Sequence, residues 1–166
     1  MENQRIVVIG AGQMGSGIAQ VAAEAGYRVI LHDVASDFVR NGMSRIDKAL
    51  SSQVQKGKID EGKKRGILSR IQGTVSYDEA RDAQVIIEAV FEDADVKPKI
   101  FSVLDEICRP ETVFATNTSS IPITRLAASV KRADRFIGIH FFNPPQVMRL
   151  VEIIPGLKTS PETVLQ

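Results

Sequence analysis

The glycine-rich segment GAGQMG at residues 10–15 constrains the fold more than any other part of the chain. It follows a β-branched apolar run and precedes apolar residues at helical spacing, so it predicts a tight turn between a strand and a helix. Gly10 allows the turn, Gly12 lets the backbone approach a pyrophosphate, and Gly15 permits close packing of the helix on the strand. Together these features predict a dinucleotide-binding βα unit.

A second apolar run ends at Asp33, eighteen residues beyond Gly15. A carboxylate at this place accepts hydrogen bonds from the adenine ribose and repels a 2′-phosphate, and no arginine follows before Arg40. The sequence therefore favours NAD over NADP. The alternative is a tight βα turn with an incidental surface aspartate. His32, which has no catalytic partner nearby, is predicted to be a strand-end residue.

Short apolar runs alternate with longer helical patterns along the whole chain. The predicted strands are residues 5–9, 28–32, 85–90, 113–116 and 135–142, and the predicted helices are residues 14–25, 35–56 and 97–108. The charged stretch 56–66 is predicted to form a solvated helical hairpin rather than a nucleic-acid site. The alternation predicts an α/β fold, a Rossmann-type doubly wound and mainly parallel sheet with an inserted helical hairpin. Residues 1–166 are expected to form one such domain.

Composition narrows the class of protein and its partners. The formal net charge is +1, which gives no reason to expect nucleic acid or an anionic membrane as a partner. The one cysteine, Cys108, fits a reducing compartment and is predicted to be a packed thiol. The N-terminal apolar run is too short for a signal peptide or a membrane span. We expect a cytoplasmic protein without a metal site.

The segment HFFNPPQVMRLVEIIPG at residues 140–156 holds His140, one of only two histidines, and Glu152 within a second apolar run. Oxidation of an alcohol by NAD requires removal of the hydroxyl proton, and a neutral imidazole suits that task. The resulting imidazolium needs an oriented carboxylate, and an acid within an apolar run is costly unless it is paired. A His140–Glu152 pair explains both residues. The alternative is a core histidine beside an edge-strand glutamate that faces water.

Four blocks together resemble the L-3-hydroxyacyl-CoA dehydrogenase family, which includes the 3-hydroxybutyryl-CoA dehydrogenases. The blocks are GAGQMGSGIAQ, EAVFED, NTSSIPIT and HFFNPPQVMRLVEI, and they occur in the family's order across the whole chain. The resemblance implies NAD-dependent, reversible oxidation of an L-3-hydroxyacyl-CoA to the 3-ketoacyl-CoA in fatty acid or butanoate metabolism, including β-oxidation. It implies an acyl-CoA partner and, for full-length members, a homodimer.

The resemblance also implies roles for individual residues. The implied catalytic residues are His140, Glu152, Ser119 and Asn143, and the implied cofactor-binding residues are Gly10, Gly12, Gln13, Met14, Gly15, Asp33, Glu92, Lys97 and Asn117. Local turn chemistry is the alternative for Ser119 and Asn143. Glu88 is an alternative to Glu92 as the acid that matters in EAVFED. Lys56 and Ser51 match CoA-contacting positions, for which a solvated charged face is the alternative.

Members of this family continue into an all-helical C-terminal domain that nothing in the present sequence supplies. The helix start at Ser160, Pro161 and Glu162 has no helix-length continuation, so we expect a shortened chain that binds NAD but turns over slowly. Two other functions remain open. One is a non-catalytic NAD-binding module, and the other is a related 3-hydroxy-acid dehydrogenase such as an L-gulonate dehydrogenase.

Overall fold

The fold is built on one seven-stranded sheet in a computed structural model that describes residues 4–166. The strands are β1 (Arg5–Ile9), β2 (Arg28–His32), β3 (Ile71–Thr74), β4 (Val85–Glu88), β5 (Val113–Thr116), β6 (Phe136–Phe141) and β7 (Val151–Pro155). Their order is β3-β2-β1-β4-β5-β6-β7. All neighbouring pairs are parallel except β6 and β7, which run antiparallel. The predicted doubly wound, mainly parallel sheet is confirmed.

The helices are α1 (Gln13–Glu24), α2 (Ser36–Gln55), α3 (Glu61–Leu68), α4 (Val96–Ile107), α5 (Ile123–Ala127) and α6 (Pro161–Leu165). The predicted helices 14–25, 35–56 and 97–108 correspond to α1, α2 and α4, with ends shifted by one residue. Helix α5 was not predicted, and the helix start at Ser160 leads into the five-residue α6. The end of α2 and the start of α3 form the predicted hairpin. Gly57 turns the chain at φ 64°, and the Asp60 side chain caps α3 by accepting from Lys63 N–H.

Two predicted strands are longer than the observed ones, and two observed strands had no predicted range. The predicted strand 135–142 exceeds β6 by one residue at each end. The predicted strand 85–90 ends at Glu88, because the N–H of Val90 bonds the Glu88 carboxylate and the chain leaves the sheet there. Strand β3 was not predicted, and β7 was foreseen only in the alternative that makes Glu152 an edge-strand residue. The β3 sequence IQGT is short and partly polar, and all five residues of β7 are exposed, so neither has the apolar alternation of a buried strand.

Two apolar layers cover the two faces of the sheet. One contains Ile18, Ile46 and Leu50 from α1 and α2, and the other contains Phe101 and Leu104 from α4. This burial on both faces accounts for the continuous apolar strands seen in the sequence. As predicted, Cys108 is buried, and its thiol contacts the carbonyl of Ala80. His32 ends β2 as predicted and stacks on Tyr77 with ring centroids 4.3 Å apart.

The order of the strands reverses between β1 and β4. From β1 the chain winds outward through β2 to β3, then returns to β4 and winds the other way. The carboxyl ends of β1 and β4 therefore diverge into separate loops at the centre of the sheet, which is where open α/β sheets bind ligands. In the described part of the chain, no helix has the length and apolar character needed to cross a membrane.

Candidate active site

Two adjoining clefts open at this reversal point. The aspartate cleft has a volume of about 370 Å³ and is lined by Gly10, Gly12 and Asp33, among others. The histidine cleft has a volume of about 280 Å³ and includes His140 and Asn143 in its lining. Ala89 and Val90, which follow β4, line both clefts. A ligand of two linked units can therefore occupy both clefts across this shared wall.

The glycine-rich loop has the close approaches that its sequence predicts. Gly10 has φ 103°, and a Cβ there would lie 2.7 Å from the carbonyl oxygen of Ala89. A Cβ on Gly15 would lie 1.7 Å from the carbonyl oxygen of Gly10, so α1 can start only if residue 15 has no side chain. Asp33 fixes the loop from the side, because its Oδ2 accepts a 2.7 Å hydrogen bond from the N–H of Ala11.

Helix α2 supplies a wall of the aspartate cleft that was not predicted from the sequence. Phe38, Asn41 and Arg45 line the cleft at helical spacing, and Phe91 from the loop after β4 also lines it. The guanidinium of Arg45 donates a 3.1 Å hydrogen bond to the carbonyl of Ala11. The sequence did carry a signal for this wall. Phe38, Asn41 and Arg45 follow Asp33 at i, i+3 and i+7 spacing, which puts them on one face of α2, next to the face that is buried in the core.

His140 and Glu152 are directly paired residues on the antiparallel strands β6 and β7. The Nδ1 of His140 lies 2.8 Å from Oε2 of Glu152. Such a contact to a carboxylate fixes Nδ1 as the protonated nitrogen and leaves Nε2 as an acceptor. The Glu152 side chain is 49% exposed, so the expected cost of burying this acid does not arise. It is both an edge-strand residue and the partner of His140.

The other predicted catalytic residues surround the histidine. Ser119 and Asn143 line the histidine cleft together with Met14. The Oδ1 of Asn143 accepts a 3.0 Å hydrogen bond from the side-chain amide of Gln13. This bond leaves the NH₂ group of Asn143 free to donate to a bound oxygen. Gln13 thus acts on the cleft through Asn143.

Asn117 ties together two strands that separate at the cleft. The last parallel pairing between β5 and β6 is Thr116 with Gly138. Beyond it, Oδ1 of Asn117 accepts a 2.8 Å hydrogen bond from the N–H of Phe141, and Asn117 itself lines the histidine cleft. The predicted cofactor residue therefore also holds the end of β6 in place.

A buried ion-pair network lies beneath the histidine cleft. Lys97 is 1% exposed, and its Nζ lies 2.9 Å from Oε1 of Glu88 and 3.0 Å from Oε2 of Glu92. Thr116 donates a 2.7 Å hydrogen bond to the Glu88 carboxylate. The structure thus joins both alternative acids of EAVFED to one ammonium. Lys97 lies below the cleft surface, while Glu92 reaches the cleft lining.

The carboxylate of Glu92 accepts several hydrogen bonds. Thr118 donates to Oε1, and the hydroxyl of Ser120 donates to the same oxygen at 2.9 Å. Partial burial alone raises the pKa of Glu92, but hydrogen bonds from Thr118, Lys97 and Ser120 outweigh it and lower the pKa to about 2. Glu92 is therefore a fixed negative charge at the cleft wall.

The hairpin residues matched to CoA contacts do not belong to this site. Neither Ser51 nor Lys56 lines the aspartate cleft or the histidine cleft. The Ser51 hydroxyl accepts a 2.7 Å hydrogen bond from Lys64, which also pairs with Asp47. Residues 4–166 contain no group of three or more His, Cys, Asp or Glu side chains placed to hold a metal ion.

Comparison with known proteins places this geometry in a family. The matching family model is described as "3-hydroxyacyl-CoA dehydrogenase, NAD binding domain" and spans residues 5–166. A probable 3-hydroxybutyryl-CoA dehydrogenase of Bacillus subtilis is 47% identical over 99% of this chain and 58% of its own length. A 3-hydroxybutyryl-CoA dehydrogenase of Bradyrhizobium diazoefficiens is 48% identical over 96% of this chain and 55% of its own.

The structural comparison agrees. The crystal structure of (S)-3-hydroxybutyryl-CoA dehydrogenase from Ralstonia eutropha matches with a TM-score of 0.96 and 44% identity. The match covers 98% of this chain and 58% of that one. The chain thus spans a little over half the length of the curated relatives it matches. Since the family model matches nearly every residue, the chain belongs to the family of NAD-binding domains of 3-hydroxyacyl-CoA dehydrogenases.

Proposed function

We propose that this chain forms the NAD-binding and proton-transferring part of a 3-hydroxyacyl-CoA dehydrogenase. Its substrate class is an L-3-hydroxyacyl-CoA such as 3-hydroxybutyryl-CoA, which is interconverted with the 3-ketoacyl-CoA. The observation that carries the proposal is the 2.8 Å contact between His140 and Glu152 beside a cleft that adjoins the glycine-rich loop. The names of the relatives support the same reaction.

The residues at the two clefts fit NAD. The adenosine half fits the aspartate cleft, where the Asp33 carboxylate would accept from the ribose hydroxyls and Gly12 leaves open space for the diphosphate. The nicotinamide half fits the histidine cleft, whose lining includes Met14 and Asn117. Bound there, NAD would supply the acceptor for the hydride from C3 of the substrate.

His140 is the proposed base. With Nδ1–H donated to Glu152, the free Nε2 accepts the proton of the substrate hydroxyl as C3 is oxidised. The carboxylate of Glu152 stabilises the imidazolium that results and keeps the ring in one tautomer. In the reverse direction, Nε2–H returns the proton to the oxygen on C3.

Ser119 and Asn143 are the proposed donors to that oxygen. Asn143 is oriented for this role, because the bond from Gln13 occupies its carbonyl and turns its NH₂ group toward other acceptors. Donors held in place before the reaction stabilise negative charge on the oxygen without reorganisation.

The proposal is tested by following NADH oxidation with acetoacetyl-CoA as substrate. Wild type is compared with His140→Gln, whose amide can still bond Glu152 but cannot take up a proton. NADH binding is measured in parallel by fluorescence titration. Each reaction is repeated with the helical C-terminal half of a relative supplied in trans. We expect His140→Gln to abolish turnover while NADH binding is retained.

Other outcomes separate the alternatives. Binding of NADH without turnover, even with the helical half present, indicates a non-catalytic NAD-binding module. Turnover of L-gulonate with none of acetoacetyl-CoA indicates a dehydrogenase of free sugar acids. Turnover that survives in His140→Gln contradicts the assignment of the base.

A further inference from the structure

We propose that Arg45 is a positioning residue of the dinucleotide site. It holds the carbonyl of Ala11 so that the N–H of Gly12 points at the cofactor diphosphate. This inference rests on the NAD binding of the proposed function. It adds a residue of α2, twelve positions beyond Asp33, to a site otherwise built from the glycine-rich loop.

The peptide group between Ala11 and Gly12 is held at its carbonyl end. Nη1 of Arg45 donates to that carbonyl oxygen at 3.1 Å. Ala11 is 1% exposed, and its own N–H is held by Asp33 at 2.7 Å. Ala11 is thus anchored on one side by the acid that meets the ribose and on the other by Arg45.

Holding the carbonyl sets the direction of the next N–H. In a trans peptide the C=O and N–H bonds point to opposite sides of the chain. When Ala11 C=O points at Arg45, Gly12 N–H points away from α2. The carbonyl of Gly12 is already used by the N–H of Ser16 at 3.0 Å, whereas its N–H donates to no group within residues 4–166. This N–H remains available for an anionic oxygen at the start of α1.

The approach of α2 to the loop depends on Gly42, one turn before Arg45. A Cβ on Gly42 would lie 2.8 Å from the carbonyl oxygen of Ala11. Because residue 42 has no side chain, α2 packs close enough for Arg45 to reach that oxygen. Arg45 itself is exposed, so replacing it leaves the core intact.

The alternative role for Arg45 is a direct ion pair with the diphosphate. The two roles respond differently to salt, because a surface ion pair is screened whereas the direction of a peptide group is not. A third possible role for Arg45 is to shape the wall of the aspartate cleft where adenosine would bind. That role would weaken ligands that lack phosphate.

The test measures dissociation constants by calorimetry for NADH, ADP-ribose and adenosine, at low and at high salt. The variants are Arg45→Met, Arg45→Lys and the control Arg40→Met, which removes an exposed arginine of the same helix. We expect Arg45→Met to weaken NADH and ADP-ribose by about tenfold at both salt concentrations, the loss of roughly one hydrogen bond to a charged group. Adenosine affinity stays within about twofold, and Arg45→Lys, which keeps a donor, recovers part of the loss.

Several results would overturn the inference. They are unchanged NADH affinity in Arg45→Met, an equal loss for adenosine, a loss that disappears at high salt, or the absence of NADH binding by wild type. An amide NMR spectrum gives a second reading, because the Gly12 signal should move in ligand-free Arg45→Met and stay in Arg40→Met. Turnover plays no part in these readings. Wild type that binds NADH without oxidising it, even with the helical half present, therefore contradicts the dehydrogenase proposal alone.

Discussion

Lys97 donates from one ammonium to both oxygens of Glu88, at 2.9 and 3.1 Å, and both side chains are excluded from water. The pair links α4 to the end of β4, directly below the wall that the two clefts share. Charged groups at this depth are tolerated because each is matched by hydrogen bonds, here including one from Thr116.

Removing the ammonium should destabilise the whole domain. Lys97→Met keeps the aliphatic stem but leaves Glu88 buried and unpaired, so we expect a loss of about 3–5 kcal/mol in the free energy of unfolding. Urea denaturation measures it. The double variant Lys97→Met/Glu88→Gln should recover a large part of the loss, because it removes the orphaned charge. A loss below about 1 kcal/mol for Lys97→Met would mean that water reaches the pair.

Replacing Glu152 should lower turnover and spare cofactor binding. In Glu152→Gln the amide can donate to Nδ1 of His140, which favours the wrong tautomer for proton uptake at Nε2. We expect kcat to fall by about a hundredfold, within the usual range for general acid–base catalysis. Steady-state kinetics with acetoacetyl-CoA, with the helical C-terminal half of a relative supplied in trans, and NADH titration check this. Glu162→Gln, an exposed acid on α6, is the control and should keep the wild-type kcat.

Acid should destabilise the fold through Glu92. Its pKa in the folded chain is about 2, below the value of about 4.3 for an unfolded glutamate. As the pH falls, the unfolded state binds the proton first, so the stability from Glu92 is complete above the unfolded pKa and is lost as the pH falls toward 2. Urea midpoints across this range should fall less steeply in Glu92→Gln. Thr118→Val, which removes one hydrogen bond, should have a smaller effect in the same direction.

His32 should contribute a separate loss at mildly acidic pH. Burial lowers its pKa, and this outweighs the bond to the backbone of Val75 and the charge of Asp33, both of which raise it. The unfolded state therefore binds a proton more readily, so stability is full above the ordinary pKa of about 6.5 and falls as the pH drops below it. His32→Phe keeps the stacking on Tyr77 and should flatten this slope, whereas His140→Gln should leave the His32 contribution in place. An unchanged slope in His32→Phe contradicts the prediction.

The sheet could be predicted from the sequence because its central strands are buried and are therefore rich in apolar residues. Val113–Thr116, for example, is buried along its whole length and begins with three apolar residues, and the glycine-rich turn fixes where β1 ends and α1 begins. The edge strands escaped prediction for the opposite reason. β3 is short and contains Gly73, and β7 forms through its pairing with β6 rather than through a buried face of its own.

The site was predictable where residues act within one motif and not where distant elements meet. The sequence suggested that His140 and Glu152 pair, since the chemistry of oxidation requires a base with an oriented acid. It could not place Arg45 against Ala11, because that contact depends on how closely α2 packs on the loop. Nor could it choose between Glu88 and Glu92, because both reach Lys97 only when α4 folds over the end of β4.

The hydrogen bond from Phe141 N–H to Asn117 has a mechanical consequence. The backbone pairing of β5 with β6 ends at Thr116 and Gly138, and the two chain segments separate beyond these residues. The side chain of Asn117 links the two segments beyond this point, because its Oδ1 accepts the N–H of Phe141 at 2.8 Å. The Asn117 side chain therefore acts as a cross-link beside the histidine cleft, and a shorter residue at position 117 would remove this link between the ends of β5 and β6.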